Sequence, residues 1–188
     1  MTRKHIPNII TVVRFIGTIG LACCELLSSM FYILYFLCGI SDVLDGWLAR
    51  KMKVESEAGA RLDSVADVFF YAVVLVRMLP ILVGRLPVSI WYGVGVIMII
   101  RLCSYGVAFL KYHCFASLHT YMNKLTGLAV FFIPYVTWKP AYFVQFCIVT
   151  CAIAAVASLE ELLIHMIAGE YNADRKTVFI KSKIDNMK

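Results

Sequence analysis

Long apolar runs, broken by short polar stretches, constrain this chain more than any other feature. Six candidate spans cover residues about 8–26, 29–50, 59–83, 87–111, 120–138 and 140–168. A helix rising 1.5 Å per residue needs roughly 20 residues to cross a bilayer core, so these lengths suffice, with tilt in the longer runs. A soluble chain of 188 residues could not cover so much apolar surface, because 61% of its residues are hydrophobic and 16% are charged. Mean hydropathy is +0.81. The sequence predicts an all-α integral membrane protein of six transmembrane helices. Residues 1–168 form one transmembrane domain, and 169–188 a short polar cytoplasmic tail.

Breakers separate the runs. LLSS follows the first, GRLP the third and WKP the fifth, while KMKVESEAG and the region KYHCFASLHT supply polar connections. MTRKHIPN leads into the first run without an A-x-A-like cleavage site, so that run reads as a retained span. Orientation follows from Lys and Arg. With the N-terminus in the cytoplasm, Arg3, Lys4, Arg50, Lys51, Lys53, Arg61, Lys111, Lys124 and the basic tail fall on or near the inner side, against Arg77, Arg85 and Lys139 toward the outer side. Both termini are therefore placed in the cytoplasm. The formal charge of +6 reports topology and anionic headgroups, and no nucleic-acid-binding pattern accompanies it. The seven cysteines lie mostly inside apolar runs without a CxxC pair and read as packing thiols.

Against this background the ionisable residues inside the runs stand out: Arg14, Asp42, Asp45, Asp63, Asp67, Arg101, Glu160, Glu161 and His165. Each is costly in lipid and must face a bundle interior or a wet cavity. Measured along its own helix, each lies within roughly 6–15 Å of the cytoplasmic end. That common depth predicts one polar chamber open to the cytoplasmic side. Asp42 and Asp45 are three apart, and Asp63 and Asp67 four apart, so each pair shares a helix face. The two helices are consecutive and run antiparallel, so their faces can converge. Four carboxylates around one point must stay partly protonated or hold cations. Oxygen ligands without His or Cys suit Mg²⁺, Mn²⁺ or Ca²⁺, and two such ions would balance the charge.

Gly46, Ala49 and Gly59 leave space beside the acids, either for helix–helix approach or for a ligand. Arg50 can snorkel to headgroups or clamp a phosphate. Asn8, Thr11 and Arg14 share a face of the first span, which either borders a diphosphate or makes interhelical hydrogen bonds. An anionic acceptor would need cations, and Arg101, Lys111 and Lys124 are the candidates. Arg101 could equally pair with Glu160 or Glu161, and the two lysines could simply anchor span ends.

Residues 42–67 read DVLDGWLARKMKVESEAGARLDSVAD. Their skeleton, D-x2-D-G-x2-A-R-x8-G-x3-D-x3-D, resembles the signature of the CDP-alcohol phosphotransferase (phosphatidyltransferase) family position for position. IPNIITVVRF, residues 6–15, is similar to the start of the bacterial phosphatidylglycerophosphate synthases. The resemblance implies a transferase of phospholipid biosynthesis. It would move a phosphatidyl group from CDP-diacylglycerol to an alcohol, with glycerol 3-phosphate the first choice, and release CMP. Asp42, Asp45, Asp63 and Asp67 would hold Mg²⁺ or Mn²⁺, with Asp67 as general base. Gly46, Ala49, Arg50 and Gly59 would contact the nucleotide or its diphosphate. It also implies a homodimer, in a bacterial inner or plasma membrane. An inositol phosphate or serine acceptor stays open, as do two other readings of intramembrane acids: a UbiA-like prenyltransferase and an ion-coupled transporter.

Overall fold

The computed structural model describes residues 6–52, 57–112 and 120–167. Within them the side-chain environments of residues 6–8, 43, 45–52, 57, 58, 60 and 61 are outside the description. The described residues form six helices: α1 (Ile6–Cys23), α2 (Ser29–Met52), α3 (Glu57–Arg85), α4 (Val88–Tyr112), α5 (Tyr121–Val136) and α6 (Pro140–Ile167). Each coincides with one of the six apolar runs. The largest departure is at the end of α1, expected near residue 26 but closing at Cys23. There Leu27 adopts φ 60° in the tight turn to α2, a left-handed conformation that a helix cannot propagate through. Ser28 then starts α2, its Oγ accepting from the Phe31 amide at 3.2 Å, which satisfies a donor that the helix start leaves orphaned. Thr120 caps α5 in the same way, accepting from the Asn123 amide at 3.2 Å, and Pro140 opens α6 at a position where its missing N–H costs nothing.

Among the described residues, three stretches are long and apolar enough to cross a membrane: Leu62–Arg85, Val88–Tyr112 and Pro140–Ile167. Ile9–Cys23 and Ser29–Asp42 are shorter apolar helices. The distribution of side chains is that of a membrane protein. Val68, Val76, Leu110 and Ile99 lie 70%, 69%, 78% and 62% exposed, while Arg14, Thr18, Ser104, Thr120, Ser158, Glu161 and His165 are buried. In water that arrangement would forfeit the hydrophobic driving force, whereas in lipid the exposed apolar faces are solvated by acyl chains. Three buried hydroxyls bond within their own helices, whereas Ser104 Oγ has no hydrogen-bond partner among the described residues. Thr18 donates to the Arg14 carbonyl at 2.9 Å, Thr150 to Phe146 at 2.9 Å and Ser158 to Ala154 at 2.8 Å.

The chain divides into two compact units, Met1–Gly84 and Arg85–Lys188. In the first, α2 runs back along α1. Gly17 faces Cys38 and Gly20 faces Leu34, and the rising and falling numbers define an antiparallel pair. A Cβ at Gly17 would sit 2.9 Å from Cys38 Sγ, so the glycine permits the close approach. Arg14 meets Asp67, and Arg77 donates to the Cys24 carbonyl. Both pairs are 53 residues apart, so α3 runs parallel to α1. Tyr35 stacks on Phe70 at 5.6 Å within a core that includes Leu21, Phe31, Ala66 and Met78, and the exposed Phe15 stacks on Phe69 at 4.6 Å. Arg77, a cation expected toward the outer side, is spent on the carbonyl end of α1, where a positive charge also complements the negative end of the helix dipole.

In the second unit α6 packs against both α4 and α5. Arg101 reaches Ser158 and Lys111 reaches His165, so α4 and α6 run the same way. Asn123 reaches Glu161 and only a short turn joins the far ends, so α5 runs against α6. Ala108, Phe143, Cys147, Ala157 and Ile164 form the apolar part of this core.

Candidate active site

The antiparallel α2 and the adjoining α3 bring acidic residues from both sequence pairs together. Asp42, Asp63 and Asp67 each offer a carboxylate oxygen, and these oxygens lie within 4.8 Å of one another. About a third of each aspartate side chain is exposed: 37% for Asp42, 34% for Asp63 and 32% for Asp67. The carboxylates are thus held together yet open to a ligand. The i, i+4 spacing of Asp63 and Asp67 puts both on one face of α3. Ala66 between them is buried, which keeps that face close to the neighbouring helices.

Asp45 belongs to the same motif, one helical turn from Asp42. Its side chain falls outside the described residues, as do those of Asn8, Ala49 and Arg50 and the surroundings of Gly46. Gly59 is half-buried, and Thr11 is buried on α1 at 3% exposure.

Arg14 is the residue that the sequence located without revealing its partners. Its side chain is 0% exposed and its guanidinium lies among all three aspartates. Nη1 donates to Asp42 Oδ1 at 3.4 Å and also to Asp67 Oδ1, and Nη2 lies 3.0 Å from Asp63 Oδ1. The α1 backbone at this point is clasped from two sides, because the Arg14 carbonyl accepts from Thr18 Oγ1 at 2.9 Å and from Cys38 Sγ at 3.8 Å. One guanidinium cannot neutralise three carboxylates, so the cluster retains an excess of negative charge that a cation can relieve. Asp63 Oδ1 is buried and has no hydrogen-bond partner, although it pairs electrostatically with Arg14. Clustered hard oxygens, partly exposed and with one acceptor incompletely used, fit a divalent ion such as Mg²⁺ or Mn²⁺.

The second unit holds a different cluster. Arg101 Nη2 donates to Asn123 Oδ1 at 2.7 Å, Asn123 Nδ2 donates to Glu161 Oε2 at 3.1 Å, and Arg101 Nη1 lies 3.8 Å from the same oxygen. Arg101 Nε also donates to Ser158 Oγ at 3.4 Å. Glu161 is completely buried, while 28% of the Arg101 side chain remains exposed. Arg101 therefore takes Glu161 as a partner. Glu160 is half-buried on the next position. Lys111 Nζ donates to the His165 and Met166 carbonyls, both at 3.1 Å, and so caps the end of α6. Lys124 is exposed on α5. Asn123, central to this network, escaped the sequence reading. Its signal was a polar residue three positions after the capping Thr120, in the first turn of an otherwise apolar helix.

The profile of the CDP-alcohol phosphatidyltransferase family matches residues 4–169. A CDP-diacylglycerol–glycerol-3-phosphate 3-phosphatidyltransferase of Cereibacter sphaeroides is 35% identical over 101 residues, 50% of this chain and 44% of that protein. CDP-diacylglycerol–glycerol-3-phosphate 3-phosphatidyltransferase 2 of Arabidopsis thaliana is 31% identical over 98 residues, 44% of this chain and 40% of that protein. CDP-diacylglycerol–inositol 3-phosphatidyltransferase 1 of the same plant is 38% identical over 64 residues, 34% of this chain and 28% of that protein. The chain thus spans less than half the length of these curated relatives. No solved structure matches it. The aspartates that converge from α2 and α3 lie inside the matched region, and with it they settle the assignment: the chain belongs to the CDP-alcohol phosphatidyltransferase family.

Proposed function

We propose that this protein transfers a phosphatidyl group from CDP-diacylglycerol to glycerol 3-phosphate and releases CMP. The observation that carries the proposal is the convergence of Asp42, Asp63 and Asp67 within 4.8 Å, in a chain of this family. Asp45, from the same motif, completes a set of four acids. Asp42, Asp45, Asp63 and Asp67 would hold one or two Mg²⁺ or Mn²⁺ ions. Bound there, the ions would supply charge neutralisation and orientation for a diphosphate.

The chain's own residues do the rest. Asp67 takes the acceptor's hydroxyl proton as its oxygen bonds to the phosphorus that bears diacylglycerol. The bond from that phosphorus to the bridging oxygen breaks, and CMP departs with the electron pair. Gly46, Ala49 and Gly59 leave room for the nucleotide to lie close to backbone. Arg50, with Asn8, Thr11 and Arg14 on α1, binds the diphosphate oxygens. Arg101, Lys111 and Lys124 supply cations for an anionic acceptor. Of these, Lys124 is exposed and Arg101 keeps 28% of its side chain exposed beside its buried partners.

In this reading all six helices span the membrane, and the polar chamber around the aspartates opens to the cytoplasm. Both termini lie on that side, the chain resides in a bacterial inner or plasma membrane, and it works as a homodimer. The excess of Lys and Arg on that side supports the orientation. A lipid substrate with acyl chains in the bilayer and a nucleotide in water suits partly exposed acids on apolar helices. The names of the similar proteins include both glycerol-3-phosphate and inositol transferases, which keeps an inositol-type acceptor as the second reading.

The deciding experiment mixes purified protein, CDP-diacylglycerol and Mg²⁺ or Mn²⁺ with a panel of acceptors: glycerol 3-phosphate, inositol, inositol phosphate and serine. CMP release with glycerol 3-phosphate is the expected result. Release with another alcohol would reassign the acceptor, and pyrophosphate in place of CMP would overturn the reaction.

A further inference from the structure

Arg14 carries a consequence that the transfer reaction does not require. Its side chain is 0% exposed, whereas the aspartates around it are each about a third exposed. The guanidinium thus lies on the protein side of the carboxylates and the open side is left to a ligand. Both of its terminal nitrogens are directed at aspartate oxygens: Nη1 at Asp42 and Asp67, and Nη2 at Asp63. A guanidinium cannot lose its proton at any ordinary pH, so this positive charge is permanent. Arg14 and a divalent cation therefore draw on the same three carboxylates, and they repel one another across a partly desolvated site.

We infer that Arg14 couples metal binding to nucleotide binding, making the aspartate site take divalent ions well only when a diphosphate is present. The inference rests on the reading in the preceding section and extends it to the order in which the site fills. Formal charge gives the reason. Four aspartates and one guanidinium, with two divalent ions added, leave the site one charge positive. The two negative charges of a diphosphate then bring it to one negative. Without Arg14, four aspartates and two divalent ions are already neutral, and only the direct attraction between ions and diphosphate is left to couple them. Arg14 thus opposes the ions while the acids are its partners. It favours them once diphosphate oxygens offer it a second set of acceptors, to which a planar fork of donors is well matched. Because the linkage is thermodynamic, the diphosphate must strengthen metal binding by the same factor that the metal strengthens diphosphate binding.

The position of Arg14 supports a fixed charge that exchanges partners without leaving the site. Thr18 and Cys38 both donate to its carbonyl, and Gly17, three residues on, lets α2 approach closely. The backbone is held, so the exchange falls to the side chain alone. A surface arginine would be screened by solvent and would exert little of this coupling.

The test measures Mn²⁺ binding by the full-length protein in detergent, by titration calorimetry and by the loss of the free-ion magnetic resonance signal, with and without cytidine diphosphate. In the unaltered protein, cytidine diphosphate should tighten Mn²⁺ binding by about tenfold or more, within the usual range of coupling between two sites. Arg14→Met keeps an unbranched stem and removes the charge. It should bind Mn²⁺ more tightly alone and show a gain from the nucleotide at least about threefold smaller than that of the unaltered protein. Arg14→Lys keeps the charge and should keep most of the coupling. Equal Mn²⁺ affinity with and without cytidine diphosphate in the unaltered protein would overturn the inference, whatever becomes of the variants. So would undiminished coupling in Arg14→Met. Absence of Mn²⁺ binding under every condition would overturn the metal assignment of the preceding section, and this inference with it. Tight binding that ignores the nucleotide sinks the coupling alone.

Discussion

The two units each bury a charged cluster, and the clusters are built on opposite terms. Around Arg14 there is one guanidinium for three aspartates; the cation is fully buried and the acids are about a third exposed. Around Arg101 there is one guanidinium for one carboxylate. Here the acid, Glu161, is fully buried and the cation is partly exposed, and Asn123 and Ser158 take up further hydrogen bonds. The first cluster is unbalanced and open, so it has a standing demand for added positive charge. The second is balanced and closed upon itself, which is how a polar network ties apolar helices together. Two similar-looking sets of intramembrane charges thus suggest a reactive centre in one unit and a helix clamp in the other.

The largest expected effect lies in the unbalanced cluster. Asp67→Asn keeps the shape and removes the proposed base, and CMP release should fall by about 10²–10⁴-fold while the melting temperature in detergent barely moves. An active variant would remove Asp67 from the chemistry and blur the contrast between the clusters. In the balanced cluster the ranking of readouts should reverse. Glu161→Leu leaves Arg101 without its buried partner and should destabilise the fold by about 3 kcal/mol. The double change Arg101→Met with Glu161→Leu should recover most of that loss. If the double variant stays folded yet loses affinity for the acceptor, Arg101 serves the substrate as well as the fold.

Smaller changes probe how each cluster is held. Gly17→Ala places a methyl group 2.9 Å from Cys38 Sγ, beside the backbone that carries Arg14. A loss of about 1–3 kcal/mol is expected, as for other overpacked sites, and Gly17→Ala with Cys38→Ala should melt closer to the unaltered protein. Thr120→Ala removes the cap from the turn that presents Asn123 and should cost about 1 kcal/mol, seen as a lower melting temperature with little change in metal binding. At the turn between α1 and α2, Leu27→Gly relieves a left-handed φ of 60° and should be neutral to stabilising by about 1 kcal/mol. A clear loss there would mean that the Leu27 side chain packs more usefully than its backbone strain costs.

The six helices were legible because hydropathy and helix-breaking residues act over a few positions at a time. LLSS, GRLP and WKP fall where α1, α3 and α5 end, and Pro140 opens α6 where the apolar run resumes. The acids of α2 and α3 were legible for the same reason, since three- and four-residue spacings place side chains on one helix face without reference to anything distant. The shortfall at Cys23 belongs to the turn that carries Leu27, whose geometry no apolar pattern encodes.

Partnership was harder to read. Arg14 stood out as a costly charge in an apolar run, but its aspartates lie 28 and 53 residues further along the chain. Nothing in its local spacing names them. Arg101 had two readings of equal standing until Glu161 and Asn123 were found beside it. Arg77 seemed a stray outer cation until it met the carbonyl end of α1. The sequence by itself determined the helices, their membrane character and the acidic motif, because each depends on periodicity and transfer energy along a single segment. Which charge faces which was decided by tertiary structure alone, because it depends on the direction and close approach of helices that packing sets and local spacing does not.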